Sequence, residues 1–486
     1  MEEKSISHGV PWTFVSFGAT KVISLLTTVF LARLLSPADF GLMALALLAF
    51  GALGLFQDLG LGATLVLRQD FEERALGTIL TLLMITAVAV AVIVSALSPL
   101  AASFFDEPRL TTLLPVLSTT SVFSSLAWFY ESLLQREMDF KRRFAGQVSL
   151  SLGFTLTAIP LAIAGAGIWA LVLGQVASTV IYSATYLIIV PHRVRPTFER
   201  AVAREVFISG RGFLAQGWLA WISENVDYLL VGRLLGSAPL GFYSMAYRLS
   251  ELTHFGIADP VAKVTFPAFA RMRQRDESVT ETYLSALRLV GLVACVIGAV
   301  LSGAAAPFTE AVFGAKWLPM IGPLAVLGIW AAVIPLQATM GWLLNSTGHA
   351  GTLGTLTAVL LVLETPLLII AAGVSTTAVS FVILGQSLVA LPLLALLAHK
   401  KLGLRLVSHL GAILPIAFAT AAAWLATRAT ANATESAAPV VSLIASGALG
   451  VTAYAAVMGV LDRGTIRLAV GTARRMLGRD IATTAG

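Results

Sequence analysis

A single cysteine in 486 residues, Cys295, excludes an internal disulfide and any cysteine-based metal cluster. Set in the apolar run LVGLVACVIGAVL, it reads as a small buried hydrophobe. Charge is scarce too: Asp, Glu, Lys and Arg make up 12% of the chain, against roughly 25% in a soluble domain. No segment between apolar runs is long enough for a soluble domain, the longest being a basic linker at about residues 191–206. A Walker loop, an HExxH pair and a CxxC pair are all missing. The six histidines are scattered, and His254, inside an apolar run, reads as a packed side chain rather than a ligand. Neither catalysis nor a cofactor or metal is therefore expected.

Apolar residues dominate, at 57% of the chain, with a mean hydropathy of +0.87. Such a surface needs lipid as its solvent, and lipid leaves only helices or a closed barrel as spanning structures. The apolar stretches run about 20 residues without strict alternation, which is the helical pattern. The expected fold class is an all-α polytopic membrane protein. Fourteen runs are counted, at about 12–34, 40–65, 76–98, 112–134, 145–164, 168–190 and 207–235. The rest fall at about 240–265, 283–306, 319–344, 352–372, 376–398, 407–427 and 438–460. The first lacks a small-residue cleavage site and reads as a retained span.

The net charge is +6. The basic residues sit in alternate loops, as in QREMDFKRR, HRVRPTFER, RMRQR and HKKLGLR, whereas SFFDEPRL, EAVFGAKW and RATANATES are poor in base. By the positive-inside rule both termini are cytoplasmic, and with no basic domain outside the membrane, nucleic acid is not an expected partner. The tail from Asp462 reads either as a basic amphipathic stretch lying on an anionic inner leaflet or as a disordered tail that anchors topology.

The chain repeats itself. LARLLSPADFGLMALA (31–46) and VGRLLGSAPLGFYSMA (231–246) share six of sixteen positions at a shift of 200, among them Arg33/Arg233 and Gly41/Gly241. Phe105 falls on Phe313 and Pro115 on Pro323 at a shift of 208, and Leu133-Leu134-Gln135 on Leu343-Leu344-Asn345 at 210. Two six-span lobes follow, 1–197 and 198–402, with two added spans in 403–462 and a basic tail in 463–486. An even number of spans per lobe implies parallel copies and a substrate path in the cleft where the lobes face.

Ionisable groups within spans are costly and so are candidates for function. The candidates for a cationic substrate cavity are Lys21, Arg211 and Arg248; those for ion coupling are Asp58, Glu224, Asp227, Glu251, Asp259 and Glu364. Glu131 and Lys263 also fall within spans. Each has a plainer reading: Arg248 and Glu251, three apart, can neutralise each other, and Arg33 and Arg233 can snorkel from span ends.

The ordered segments LARLLSPADFGLMALA, DLGLGATLVLRQD, LLQREMDFKR, FPAFARMR, VFGAKWLPMIGPL and LLNSTGHAG give the chain a resemblance, over residues 8–460, to a known family. It resembles the polysaccharide-transporter branch of the multidrug/oligosaccharidyl-lipid/polysaccharide flippase superfamily. The resemblance implies transfer of undecaprenyl-diphosphate-linked oligosaccharide across the bacterial inner membrane by alternating access. A proton or sodium counter-ion and a polysaccharide polymerase or export machinery are the further partners it implies. A peptidoglycan-precursor flippase, a multidrug cation antiporter and a membrane oligosaccharide polymerase stay open as alternatives.

Overall fold

The computed structural model describes residues 20–58, 73–137, 139–190, 193–275 and 277–476, and their regular structure is helical throughout. Two compact units divide the chain, Met1–Gly241 and Phe242–Gly486. In the first, α1 (20–34) is followed by α2 (Pro37–Asp58), α3 (Glu73–Phe105), α4 (Leu110–Ser118) and α5 (Thr120–Arg136). Then come α6 (Phe140–Ile163), α7 (Ile168–Ile189) and α8 (Arg200–Leu234). α9 (Ser237–Thr253) leads into a π-helical turn, His254–Ala258, and α10 (Asp259–Gln274). The second unit continues with α11 (Thr280–Gly303), α12 (Ala305–Val312), α13 (Ile321–Ser346), α14 (Ala350–Ala372) and α15 (Thr376–Leu402). α16 (Leu406–Ala433), α17 (Pro439–Leu461) and α18 (Arg463–Met476) complete it.

Among the described residues eleven segments are long and apolar enough to cross a membrane. The chain is a multi-pass membrane protein. The described parts of the other three expected spans are helical as well, and physical reasons set them apart. Only fifteen residues of α1 are described. α8 carries Glu224 and Asp227 in its apolar half, and α9 through α10 is interrupted by Arg248, Glu251, Asp259 and Lys263. The units divide after Gly241, which groups α8 with α1–α7. The expected lobe boundary at 197/198 rests on the sequence repeat alone.

Local chemistry explains where the helices begin. Ser36 and Asp39 form a capping box at α2: Asp39 N–H donates to Ser36 Oγ at 3.3 Å, and Ser36 N–H to Asp39 Oδ2 at 3.0 Å. Pro37 at the first helical position needs no partner for an N–H it lacks. The second copy of this turn replaces Ser36 with Gly236 at φ +89°. Downstream the copies agree better. Buried Phe105 and Phe313 are each followed by a residue of positive φ, Asp106 (φ 55°) and Gly314 (φ 88°).

Each unit has its own core. In the first, Ile79 and Leu83 of α3 pack with Phe129 and Tyr130 of α5 and Tyr186 of α7. The linker after α7 is strapped onto α3. Thr197 Oγ1 donates to Arg74 O at 2.7 Å, Thr81 Oγ1 donates to Thr197 O at 2.8 Å, and Glu199 N–H donates to Thr78 Oγ1 at 3.0 Å. In the second unit, Tyr283 and Leu287 of α11 pack with Met340 and Leu343 of α13 and Ile416 of α16. Cys295 lies in this core, its Sγ 3.4 Å from Ala332 O. α18 is helical as far as Met476.

Candidate functional site

Two groups of polar side chains stand out, one in each unit. In the first unit Glu131 of α5 is the hub. Its Oε1 accepts from Arg143 Nε at 2.8 Å and from Gln147 Nε2 at 3.0 Å, both on α6. Its Oε2 accepts from Tyr182 Oη of α7. Tyr186, one turn on, donates to Arg143 O at 3.2 Å. The Glu131 side chain is 13% exposed and that of Arg143 30%. A carboxylate this enclosed is tolerable only because an ion pair and two further donors satisfy it. The arrangement clamps three helices and leaves the carboxylate little capacity for a ligand.

The second unit carries a stripe of ionisable groups along α9, the π-turn and α10: Arg248, Glu251, His254, Asp259 and Lys263. The π-turn has a local cause. Pro260 has no N–H, and its ring would meet the carbonyl four residues earlier, at Gly256, in a regular helix. The backbone widens instead, and Asp259 N–H donates to His254 O in an i to i+5 bond. In an α-helix residues five apart lie about 140° apart around the axis. The wider turn brings them together, with His254 Nε2 3.7 Å from Asp259 Oδ1. One residue earlier, Thr253 Oγ1 donates to Ala331 O of α13 at 2.7 Å. The His254 ring stacks on Trp342 of α13, centroids 6.0 Å apart and planes inclined by 28°.

The nine sequence-derived candidates divide between the units. Lys21 is exposed on α1. Asp58 ends α2 and Arg211 lies in α8, but the side chains of both lie outside the described residues. Glu224 and Asp227, three apart on α8, have different surroundings: Glu224 is exposed, whereas Asp227 is 2% exposed and accepts from Tyr228 N–H at 2.8 Å. Arg248 is exposed, Glu251 and Glu364 are half-buried, and Asp259 is drawn to His254. By sequence His254 reads as a packed side chain, and its spacing of five from Asp259 has no meaning in an α-helix. The visible signal was Pro260 with Gly256 four residues before it.

Residues 30–322 match the pattern of the polysaccharide biosynthesis protein family. The chain is 26% identical over 350 residues to the teichuronic acid biosynthesis protein TuaB of Bacillus subtilis, covering 71% of this chain and 72% of that protein. It is 24% identical over 343 residues to the lipopolysaccharide biosynthesis protein WzxC of Escherichia coli, covering 68% of each. It is also 26% identical over 330 residues to the succinoglycan biosynthesis transport protein ExoT of Rhizobium meliloti, covering 66% of each. The lipid II flippase MurJ in an inward closed conformation shares the fold, with a TM-score of 0.72 and 14% identity over 93% of this chain and 99% of that one. An inward-facing MATE multidrug transporter of the MOP superfamily shares it with a TM-score of 0.64 and 15% identity over 79% and 94%. With the match spanning well over half its length, the chain belongs to the polysaccharide biosynthesis protein family and has the fold of the multidrug/oligosaccharidyl-lipid/polysaccharide flippase superfamily.

Proposed function

We propose that this protein is a flippase that carries undecaprenyl-diphosphate-linked oligosaccharide units from the cytoplasmic to the periplasmic leaflet of the bacterial inner membrane. It would do so by alternating access, with both termini cytoplasmic, for exopolysaccharide, O-antigen or capsule synthesis. The carrying observation is a family match across residues 30–322 in a chain whose helices α8, α9 and α10 hold ionisable groups at span positions. A diphosphate bears about two negative charges, and burying it unaided in hydrocarbon costs many kcal/mol. Cations in a hydrated path offset that cost. Lys21, Arg211 and Arg248 take this role in the proposal. Asp58, Glu224, Asp227, Glu251, Asp259 and Glu364 are proposed to serve a proton or sodium counter-ion.

The names of TuaB, WzxC and ExoT, each tied to an envelope or secreted polysaccharide, support this reading over a drug antiporter or a peptidoglycan-precursor flippase. The likeness to MurJ speaks to fold alone at 14% identity. The test is complementation of a strain lacking its own oligosaccharide-unit flippase. Restored surface glycan with unchanged drug resistance is the expected result. Raised drug resistance without glycan would transfer the assignment to an antiporter.

A further inference from the structure

The inference concerns the His254–Asp259 contact and rests on the flippase reading only for its biological use. In the stripe on α9, the π-turn and α10, the charges run plus, minus, His254, minus, plus, from Arg248 through Glu251 and Asp259 to Lys263. With His254 neutral the stripe carries no net charge; with His254 protonated it carries +1. The π-turn places the imidazole Nε2 opposite a carboxylate oxygen at 3.7 Å. His254 Nδ1 is buried and makes no hydrogen bond among the described residues.

Every protonation state of the imidazole leaves Nδ1 unmatched, so the states differ at Nε2. A proton on Nδ1 leaves that N–H without an acceptor and points the Nε2 lone pair at the Asp259 carboxylate. A proton on Nε2 leaves the Nδ1 lone pair buried and unmatched. Protonation of both nitrogens also leaves the Nδ1 N–H without an acceptor, but it turns the Nε2 contact into a charge-assisted ion pair.

We propose that His254 and Asp259 form a proton-binding site, in which an imidazolium on His254 is held by the Asp259 carboxylate and gives this helix face a net positive charge. The proton enters at Nε2. A positive face is the form suited to the diphosphate of an anionic lipid, so the site supplies a route by which a proton assists the cargo.

The surroundings pull both ways, for burial costs a charged imidazole and the Asp259 carboxylate acts against that cost. The π-turn packs against α10, α11 and α13. α13 brings no ionisable residue, only the Trp342 face, which attracts a cation. α10 contributes Asp259 and Lys263, and α9 supplies Arg248 and Glu251. α11 carries Glu281, Tyr283, Arg288 and Cys295. Of these, Cys295 is turned to Ala332 O, and the Tyr283 ring lies 5.4 Å from that of His409. Arg288 of α11 opposes protonation together with Arg248 and Lys263, while Asp259 and Glu251 favour it.

The experiment is a proton titration of the full chain, with its histidines labelled with nitrogen-15, in lipid nanodiscs between pH 5 and 8. The His254 resonance is assigned by its loss in His254→Asn. The expected result is a titrating His254 whose proton affinity falls about tenfold in Asp259→Asn and recovers in Asp259→Glu, because a nearby carboxylate shifts a partner by about one pH unit or more. A His254 that stays neutral across the range, or one that titrates identically in Asp259→Asn, overturns the site. The titration needs no transport substrate, so it stands or falls separately from the flippase reading.

Discussion

Gly41 and Gly241 lie against each other, and each is the point of nearest approach for the other's turn. A Cβ on Gly41 would overlap the carbonyl oxygen of Ser237 and lie 2.8 Å from Gly241 N; one on Gly241 would overlap the carbonyl oxygen of Pro37 and lie 3.2 Å from Gly41 N. Each member of one contact sits 200 positions from its counterpart in the other, Pro37 from Ser237 and Gly41 from Gly241. Such reciprocity is what a local two-fold axis between the two turns produces. It explains why these glycines recur in the repeat: only a residue without a side chain lets the two backbones meet.

Backbone has nowhere to move at this contact, so Gly41→Ala and Gly241→Ala should destabilise the protein by similar amounts, about 2 kcal/mol each. Thermal unfolding in detergent measures this. A much milder effect for one of the pair would break the reciprocity.

The clamp around Glu131 gives a double-mutant cycle. Removing either charge leaves the other enclosed and unmatched, a loss of about 3 kcal/mol. Glu131→Ala combined with Arg143→Ala should cost well below the sum of the singles, because the partners act as one unit. Tyr182→Phe should cost about 1.5 kcal/mol for a hydrogen bond to a charged acceptor. Additive losses in unfolding assays would show that the two charges do not interact.

The strap on α3 has a proteolytic signature. Gly77 faces Arg195 O and the Thr197 side chain so closely that a methyl group there must displace the linker. Arg193 is exposed, but Val194 beside it is 4% exposed and packed in the core. Gly77→Ala should therefore speed tryptic cleavage after Arg193 several-fold in folded protein. Equal cleavage rates would mean that the strap does not protect the linker.

If the His254–Asp259 site carries a coupling proton, an imposed pH gradient across proteoliposomes should change the transport rate of the unmodified protein. His254→Asn should remove that dependence. A gradient effect that survives the substitution would move proton coupling to another group.

The all-helical class and the course of the spans were legible in the sequence because apolar length and loop charge are local properties. Gly41 and Gly241 were legible as a repeated pair, and the structure brings them together. The side-chain partnerships were not. Arg143 lies 12 residues from Glu131 and Tyr182 lies 51 residues away, separations that no local period announces. The π-turn was hidden for another reason. Its effect is to break the period by which faces are assigned, so the sequence shows no link between Asp259 and His254.

The most direct test of the account is a leaflet-accessibility assay in proteoliposomes loaded with undecaprenyl-diphosphate-linked oligosaccharide. The rate at which the glycan becomes accessible on the opposite leaflet is compared with and without the protein. The account predicts faster transfer with the protein, and a clear loss of that gain in folded Lys21→Ala and Arg211→Ala variants. Transfer no faster than in protein-free vesicles would contradict it.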